Sequence, residues 1–306
     1  MTSTPQPWYR RRRNQILVVI VIVVIAISAL TFFTSGPPPT PNQVALNKTV
    51  SYFVNAYNYT MGLVSETPGS NTFWLYSDNY LASLALGRYD PSNQSTTSFS
   101  LAISEAIGSY TATLPRSYVT SQYTALNSTS ASFRCAQDYS LSWSTAEGST
   151  SPGQGSAVVE TTANNGASSC ASQNYADVLL LQAVYYYDHA DSTTALSYLH
   201  NATADFDGKG FADLAFAASN STTAGQYQTY KLALYVYAST CLGQSETDAN
   251  FKTIFGLLLR QQDNSTGGFY GDYGPSLEHG LTSVNTQTTA LAALALEAVI
   301  NPSADC

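Results

Sequence analysis

Hydrophobic positions along the chain fall into three regimes. Ile16 to Phe33 reads ILVVIVIVVIAISALTFF, free of charge and with only Ser28 and Thr31 polar. From Asn42 to Tyr110, and again from Tyr175 to Val299, apolar residues recur three and four apart, the spacing of helices with a buried stripe. Between Leu114 and Cys170 that spacing vanishes. There YVTSQYTAL, RCAQDYSLSW and SAVVETT cluster or alternate strand formers between breaks rich in Gly, Ser and Pro.

The first regime is long enough to cross a hydrocarbon core of roughly 30 Å as a helix. Arg10 to Arg13 stand before it and no basic run follows closely, which places the N-terminus in the cytoplasm and the remainder outside. Trp8 and Tyr9 suit the interface. The expected layout is a basic cytoplasmic tail (1–14), a transmembrane anchor (15–34), a proline-rich stalk (35–42, containing SGPPPTPN) and an extracytoplasmic domain (43–306) with an insertion at 114–172. A cleaved signal peptide and a pilin-type N-terminal helix are the alternatives. No small-x-small cleavage pattern follows the apolar run, which favours a signal-anchor left in place.

In the second regime Asn42 is expected to cap a helix with Val44, Leu46, Val50, Phe53, Val54, Tyr57 and Met61 along one stripe. Further helices are expected at Asp78–Leu86, Thr97–Tyr110, Tyr175–Asp188, Ser192–Thr203, Tyr227–Leu242, Asp248–Gln262 and Asn285–Val299. Two stretches repeat. DGKGF (Asp207 to Phe211) followed by YQTYKLAL (Tyr227 to Leu234) matches STGGF (Ser265 to Phe269) followed by TQTTALAA (Thr286 to Ala293), at an offset of 58 to 59 residues. DNYLASLAL (Asp78 to Leu86) overlays TTALAALAL (Thr288 to Leu296). Each unit pairs a small-residue helix with a more amphipathic one, and neither buries its apolar face alone, so the hairpins must stack.

Composition sharpens the location. Only 10% of residues are charged, against roughly 25% in an ordinary soluble domain. With 22 tyrosines and abundant Ser, Thr, Asn and Gln, the surface is hydrophilic without being ionic, which suits export and an acidic medium. Beyond the arginine run, eight basic residues face twenty acidic ones, a net of −12. Without a basic stripe to neutralise phosphates, nucleic acid is excluded as a partner. Seven N-x-Ser/Thr sequons, at Asn47, Asn58, Asn93, Asn127, Asn201, Asn220 and Asn264, point to a glycoprotein. Cys135, Cys170, Cys241 and Cys306 are even in number and lack metal-ligand spacing. Two disulfides are favoured, Cys135–Cys170 and Cys241–Cys306 foremost among three pairings, with buried thiols the alternative.

LLLRQQDNSTGGF followed by VNTQTTALAALAL resembles the helical repeat of α/α-toroid proteins, the group of six-hairpin glycosidases and lyases and of prenyltransferases and terpene cyclases. FWLYSDNYLASLAL resembles the start of an inner helix in the six-hairpin members. The likeness covers Asn42–Tyr89 and Tyr175–Val299. About eight helices are visible where a complete ring has twelve. The cyclases' Asp-x-Asp-Asp motif and the prenyltransferases' zinc constellation are absent. The implied fold class is therefore mostly α, an incomplete α/α toroid of stacked hairpins with a β-rich insertion, behind one N-terminal transmembrane helix.

In such a toroid the loops before the inner helices converge on one end. That resemblance implies a ligand-facing set of Trp74, Tyr76, Asn79, Tyr175, Tyr227, Gln228, Tyr270, Tyr273, His279 and Gln287, with Gln226 and Asn285 beside them. Aromatic rings stack on sugars, and amides and acids bond hydroxyls. The acids Asp78, Asp177, Asp272 and Glu278 are the candidate catalytic pair members, since glycosidic cleavage divides acid and base work between two carboxylates. Each has a plainer role. Asp78 and Asp177 stand where an acid caps a helix, Glu278 and His279 where a loop meets solvent, and Phe211 and Phe269 where a core needs plugs. The loop glycines 208, 210, 267 and 268 suit backbone angles that other residues resist.

DFDGKGFAD (Asp205 to Asp213) is oxygen-rich, but Lys209 occupies a ligand position of the calcium-loop pattern and the closing Glu is missing. His189 and His200 are isolated, and no nucleophile elbow or phosphate loop occurs. No metal or cofactor is expected. The function expected is that of a membrane-anchored cell-surface protein that binds glycan or protein or builds the cell envelope or a filament. A polysaccharide-active glycoside hydrolase or lyase of the six-hairpin type is the alternative.

Overall fold

The computed structural model describes residues 38–59, 61–69, 74–89, 94–111, 123–126, 139–146, 157–164, 175–217, 225–245, 247–278 and 282–302. The chain divides into two compact units, Met1–Thr40 and Pro41–Cys306. The expected anchor and stalk fall almost wholly outside the described residues. No helix among those described is long and apolar enough to cross a membrane.

The second unit is mostly α. Its elements run α1 (Pro41–Ala56), β1 (Tyr57–Asn58), β2 (Leu63–Val64), α2 (Tyr76–Tyr89), α3 (Gln94–Thr111), a 3₁₀ turn (Thr124–Leu126), β3 (Tyr139–Ala146) and β4 (Ala157–Asn164). Then come α4 (Ala176–Asp188), α5 (Ser192–Ala204), α6 (Leu214–Ala217), β5 (Tyr227–Gln228), α7 (Thr229–Cys241) and α8 (Phe251–Arg260). The chain closes with β6 (Phe269–Tyr270), β7 (Asp272–Tyr273), β8 (Val284–Asn285) and α9 (Thr286–Ile300). Within the 114–172 stretch, β3 and β4 pair antiparallel from Tyr139 opposite Asn164 to Ala146 opposite Ala157. Thr124–Leu126, inside the YVTSQYTAL run, is a helical turn and not a strand.

The helices sort by burial. In α7 every residue except Tyr230 is buried, and in α9 the buried run Thr286–Ala298 is broken only by Gln287. A helix enclosed on all sides has to sit inside. The small Ala, Ser and Thr side chains of these helices permit the close approach. By contrast α8 buries Phe251, Ile254, Leu257 and Leu258 and leaves its other face to water, and α1 buries Ala45, Leu46, Thr49, Tyr52, Phe53 and Ala56. Four inner helices lie side by side in the order α2, α9, α7, α4, and α3, α1, α8 and α5 back them respectively. Between α2 and α3 the seam is polar and tight: Ser83 Oγ donates to Ser100 O (3.0 Å) and bonds Ser104 Oγ (2.7 Å).

Helix starts are specified locally in some places and by distant residues in others. Asn285 caps α9 by accepting Thr288 N–H (2.9 Å), and Asp191 caps α5 by accepting Thr194 N–H (3.1 Å). Asn42 does not cap α1. That helix already begins at Pro41, whose fixed φ suits a first helical position. Tyr175 precedes α4 in extended conformation without capping it, and the free Ala176 N–H is taken by Asp213 from another segment (2.9 Å).

The repeat is visible in three dimensions. Phe206 bridges Phe211, and Gln262 bridges Phe269, each antiparallel across a turn headed by an aspartate. Asp207 accepts Lys209 and Gly210 N–H (2.9 and 3.1 Å), while Asp263 accepts from the N–H and hydroxyl groups of Ser265 and Thr266. Phe211 and Phe269 are core residues. Of the two glycines in each turn, only the first has positive φ (Gly208 +91°, Gly267 +82°). A Cβ on the second would collide with Tyr227 (at Gly210) or with Val284 and Tyr52 (at Gly268), so close packing excludes a side chain there.

Candidate functional site

Asp213 organises the start of the inner helices. Besides Ala176 N–H it accepts Ala215 and Phe216 N–H (3.1 and 3.4 Å) and the Lys231 ammonium (2.5 Å). Both side chains of this ion pair are buried, at 1% and 0% exposure. One carboxylate thus ties together the first residues of α4, α6 and α7. Asp205, nearby, has its carboxyl raised by burial and by the Asp213 charge, with Lys231 opposing.

That knot sets Asp177 of α4 against Tyr230 of α7. The Tyr230 hydroxyl donates to Asp177 Oδ2 (3.1 Å) and to Gln228 Oε1 (3.2 Å), so a single proton is shared between two acceptors. Asp177 Oδ1 is buried and has no partner. Burial first, then the charges of Asp177, Tyr123 and Asp213, push the Tyr230 phenol well up, keeping it a donor. On the next inner helix Gln287 Nε2 donates to the Tyr123 hydroxyl (2.5 Å). The segment after Tyr123 packs on α4, and its Leu126 carbonyl accepts from Arg88 of α2 (2.7 Å).

A two-residue ladder frames one side. β5 and β7 pair antiparallel, with Tyr227 opposite Tyr273 and Gln228 opposite Asp272. Opposed residues share a face. Tyr227 and Tyr273 turn to the core, with ring centroids 5.4 Å apart, while Gln228 and Asp272 turn to the Tyr230 side. Asp272 is 3% exposed and its Oδ1 has no partner. Gln226 Oε1, one step along the same face, is likewise buried and unpartnered.

The sequence-derived candidates divide accordingly. Asp177, Gln228 and Gln287 come together around Tyr230 and Tyr123, with exposed Tyr175 at the head of α4 and Asp272 opposite Gln228. Others are committed to structure. Tyr227 stacks on Phe216 (4.5 Å) and donates to Asp207 (2.5 Å), and Tyr273 is fully buried, donating to the Lys209 carbonyl (2.8 Å). Asn79 holds both backbone groups of Val64 (2.7 and 3.0 Å), and Trp74 is 1% exposed. Tyr270 is half-buried in β6, and Glu278 is exposed. His279 and the side chain of Tyr76 lie outside the described residues.

The four candidate acids occupy different settings, with Asp272 linked to the Asp177–Tyr230 pair only through its ladder partner Gln228. Asp78, 2% exposed, accepts from Ser77 Oγ (3.3 Å) and acts on the Tyr52 phenol, whereas Asp177 bonds Tyr230. The Asp207 carboxylate, the head of the calcium-like loop, is spent on two N–H groups and the Tyr227 hydroxyl. Among the described residues no His/Cys/Asp/Glu group could hold a metal. His189 Nδ1 pairs with Tyr185 O (2.8 Å) on the surface.

Cys241 is disulfide-bonded, its partner lying beyond the described residues with Cys135, Cys170 and Cys306. Of the sequons, Asn264 sits on an exposed turn and Asn201 on an exposed helix face, while Asn58 is half-buried. Asn47 lies within α1 with Thr49 of its sequon fully buried. Asn93, Asn127 and Asn220 fall outside the described residues.

Comparison with protein-family models, curated proteins and solved structures finds no match to the chain.

Tyr230 and Tyr123 escaped sequence reasoning. The repeat held a signal for the first: Gln228 and Gln287 are equivalent positions, each holding a tyrosine hydroxyl, and Tyr230 stands two residues after the first of them. Nothing in the sequence pointed to Tyr123.

Proposed function

We propose that the protein is a glycan-binding module of the cell surface, held to the membrane by residues 15–34, with its helical body an incomplete α/α toroid. The ligand lies across the starts of the inner helices. The observation that carries this reading is the Tyr230 hydroxyl shared between Asp177 and Gln228, beside an Asp177 Oδ1 that is desolvated yet unpaired. Desolvated polar atoms without partners are costly, and a polyol supplies the missing donors. The half-buried ring of Tyr230 and the exposed ring of Tyr175 offer stacking faces.

Binding is favoured over hydrolysis because Asp177 is engaged by the Tyr230 hydroxyl and Asp272 is only 3% exposed, settings that suit gripping a ligand more than presenting an acid and a base to a glycosidic bond. Four inner helices each backed by an outer one support the toroid reading. The anchor rests on the apolar run and its arginines.

The test is a glycan array and a hydrolysis assay with the full chain in detergent micelles, run beside Asp177→Asn and Tyr230→Phe. Binding without turnover is expected, weakened by about tenfold in each variant. Turnover abolished by Asp177→Asn, or binding indifferent to both changes, would overturn the reading.

A further inference from the structure

The site's hydrogen-bonding capacity is lopsided. Three side-chain oxygens, Asp177 Oδ1 on the Tyr230 pair and Asp272 Oδ1 and Gln226 Oε1 on the ladder face of Gln228, are buried without partners. All three only accept. Asp272 is the most telling, because it is 97% buried yet set on the same ladder face as Gln228. An ideal Cβ on Gly274 would lie 3.6 Å from Gln226 Oε1, which places that amide along the same strand edge. The cation present is already engaged: the Lys231 ammonium is locked onto Asp213 in a fully buried pair, Tyr230 serves two acceptors, and the carboxamide N–H groups of Gln226 and Gln228 are neutral donors.

A buried carboxylate needs either a cation or several N–H donors, because low dielectric penalises it otherwise. A neutral sugar hydroxyl brings one donor together with lone pairs that meet the acceptors unfavourably. An ammonium brings three donors, no acceptor and the opposite charge. From this, and resting on the glycan-binding reading above, we propose that the site selects sugars bearing a free amine, with Asp272 and Asp177 as the residues that determine the preference.

The test titrates the full chain in detergent micelles with three probes: oligomers of glucosamine, of N-acetylglucosamine and of glucose. At about pH 5.5, well below the usual range of an amine, the glucosamine amine carries its charge. The glucosamine oligomer is expected to bind about tenfold tighter than either of the others. Asp272→Asn should erase that advantage. Gln226→Glu, at a half-buried position that tolerates a charge, should widen the advantage several-fold and guards against a misfolded Asp272 variant. Equal affinity for the three probes, or preference for the acetylated or plain oligomer, overturns the amine selectivity and leaves glycan binding standing. An advantage that neither variant changes overturns the assignment to Asp272 and its ladder face. Failure of all three probes to bind overturns both readings.

Discussion

The two ends of the same four inner helices are built in opposite ways. At their starts, one Tyr230 proton serves Asp177 and Gln228, and further oxygens stay unpaired. At their finishes, the donor is in charge. Arg88 near the end of α2 donates to the Tyr237 hydroxyl of α7 (2.5 Å) and to Leu126 O (2.7 Å), and its guanidinium lies 5.8 Å from the Tyr237 ring centroid. Asp188 of α4 and Glu297 of α9 lie in the field of that arginine. One cation therefore reaches all four inner helices, whereas the Lys231 cation at the starts is locked onto Asp213. The finishes are joined by one guanidinium and the starts by the Asp213 carboxylate, and it is the shared Tyr230 hydroxyl that marks the starts as the proposed binding end.

The largest effect is expected from the anchor of the binding end. Lys231→Met leaves Asp213 buried without its cation and should cost about 3 kcal/mol in urea unfolding, since one-sided removal of a buried ion pair strands the other charge. Arg88→Met should cost less, about 2 kcal/mol, because Arg88 is half-exposed and water can reach the groups it releases. A smaller loss for Lys231→Met than for Arg88→Met would reverse the ranking and show that the clamp, not the Asp213 knot, holds the inner helices.

These clusters mark the boundary of what the sequence made legible. Helix existence, the enclosed character of α9, the Asn285 region and the turn repeat all follow from residues near one another in the chain. Lys231 is different. A lysine inside an Ala/Leu helix looks like a surface position, and only the distant Asp213 makes its burial tolerable. Likewise Arg88 meets Tyr237 across 149 residues, and Tyr230 meets Asp177 across 53. No periodicity encodes such pairings. Asp78 and Asp177 do stand in the first turns of their helices, whereas Asp272 lies in β7 and Glu278 in an exposed loop.

The clamp also titrates. Burial pushes the Asp188 carboxyl up to about 6, against the pull of Arg88 and His189. Burial drives Glu297 up more strongly, and both its oxygens lack partners, as suits a proton-bearing acid. The folded state thus keeps protons that the unfolded chain loses near pH 3.8, so this stability is full below that pH and is lost as pH rises through about 6. Asp263 works in reverse. Burial raises it, but Ser265 and Thr266 donors win and hold it at about 2, so its contribution is present above 3.8 and lost as pH falls toward 2. Maximum thermal stability is expected at about pH 4, falling by a few degrees toward neutrality, and Glu297→Gln should flatten that fall. A melting temperature that rises from pH 4 to 7 would contradict the assignment of a proton-loaded clamp.

The finest distinction comes from making one substitution at both ends. Tyr237→Phe removes the acceptor for Arg88 Nη1 in a residue 1% exposed, so a charged donor loses its partner where water enters with difficulty. Hydrogen bonds to charged groups carry more than neutral ones, and the expected cost is about 1.5 kcal/mol. Tyr230→Phe also removes a hydroxyl bonded to an anion, but Asp177 and Gln228 are half-exposed and can turn to water or to a ligand. Its expected cost to stability is about 0.5 kcal/mol, with the loss appearing in glycan affinity instead. The comparison therefore separates stability from binding in a pair of otherwise identical edits. If Tyr230→Phe destabilised the fold as much as Tyr237→Phe while binding stayed intact, the starts of the inner helices would be a second clamp, and the unpaired oxygens there would have to be satisfied by trapped water.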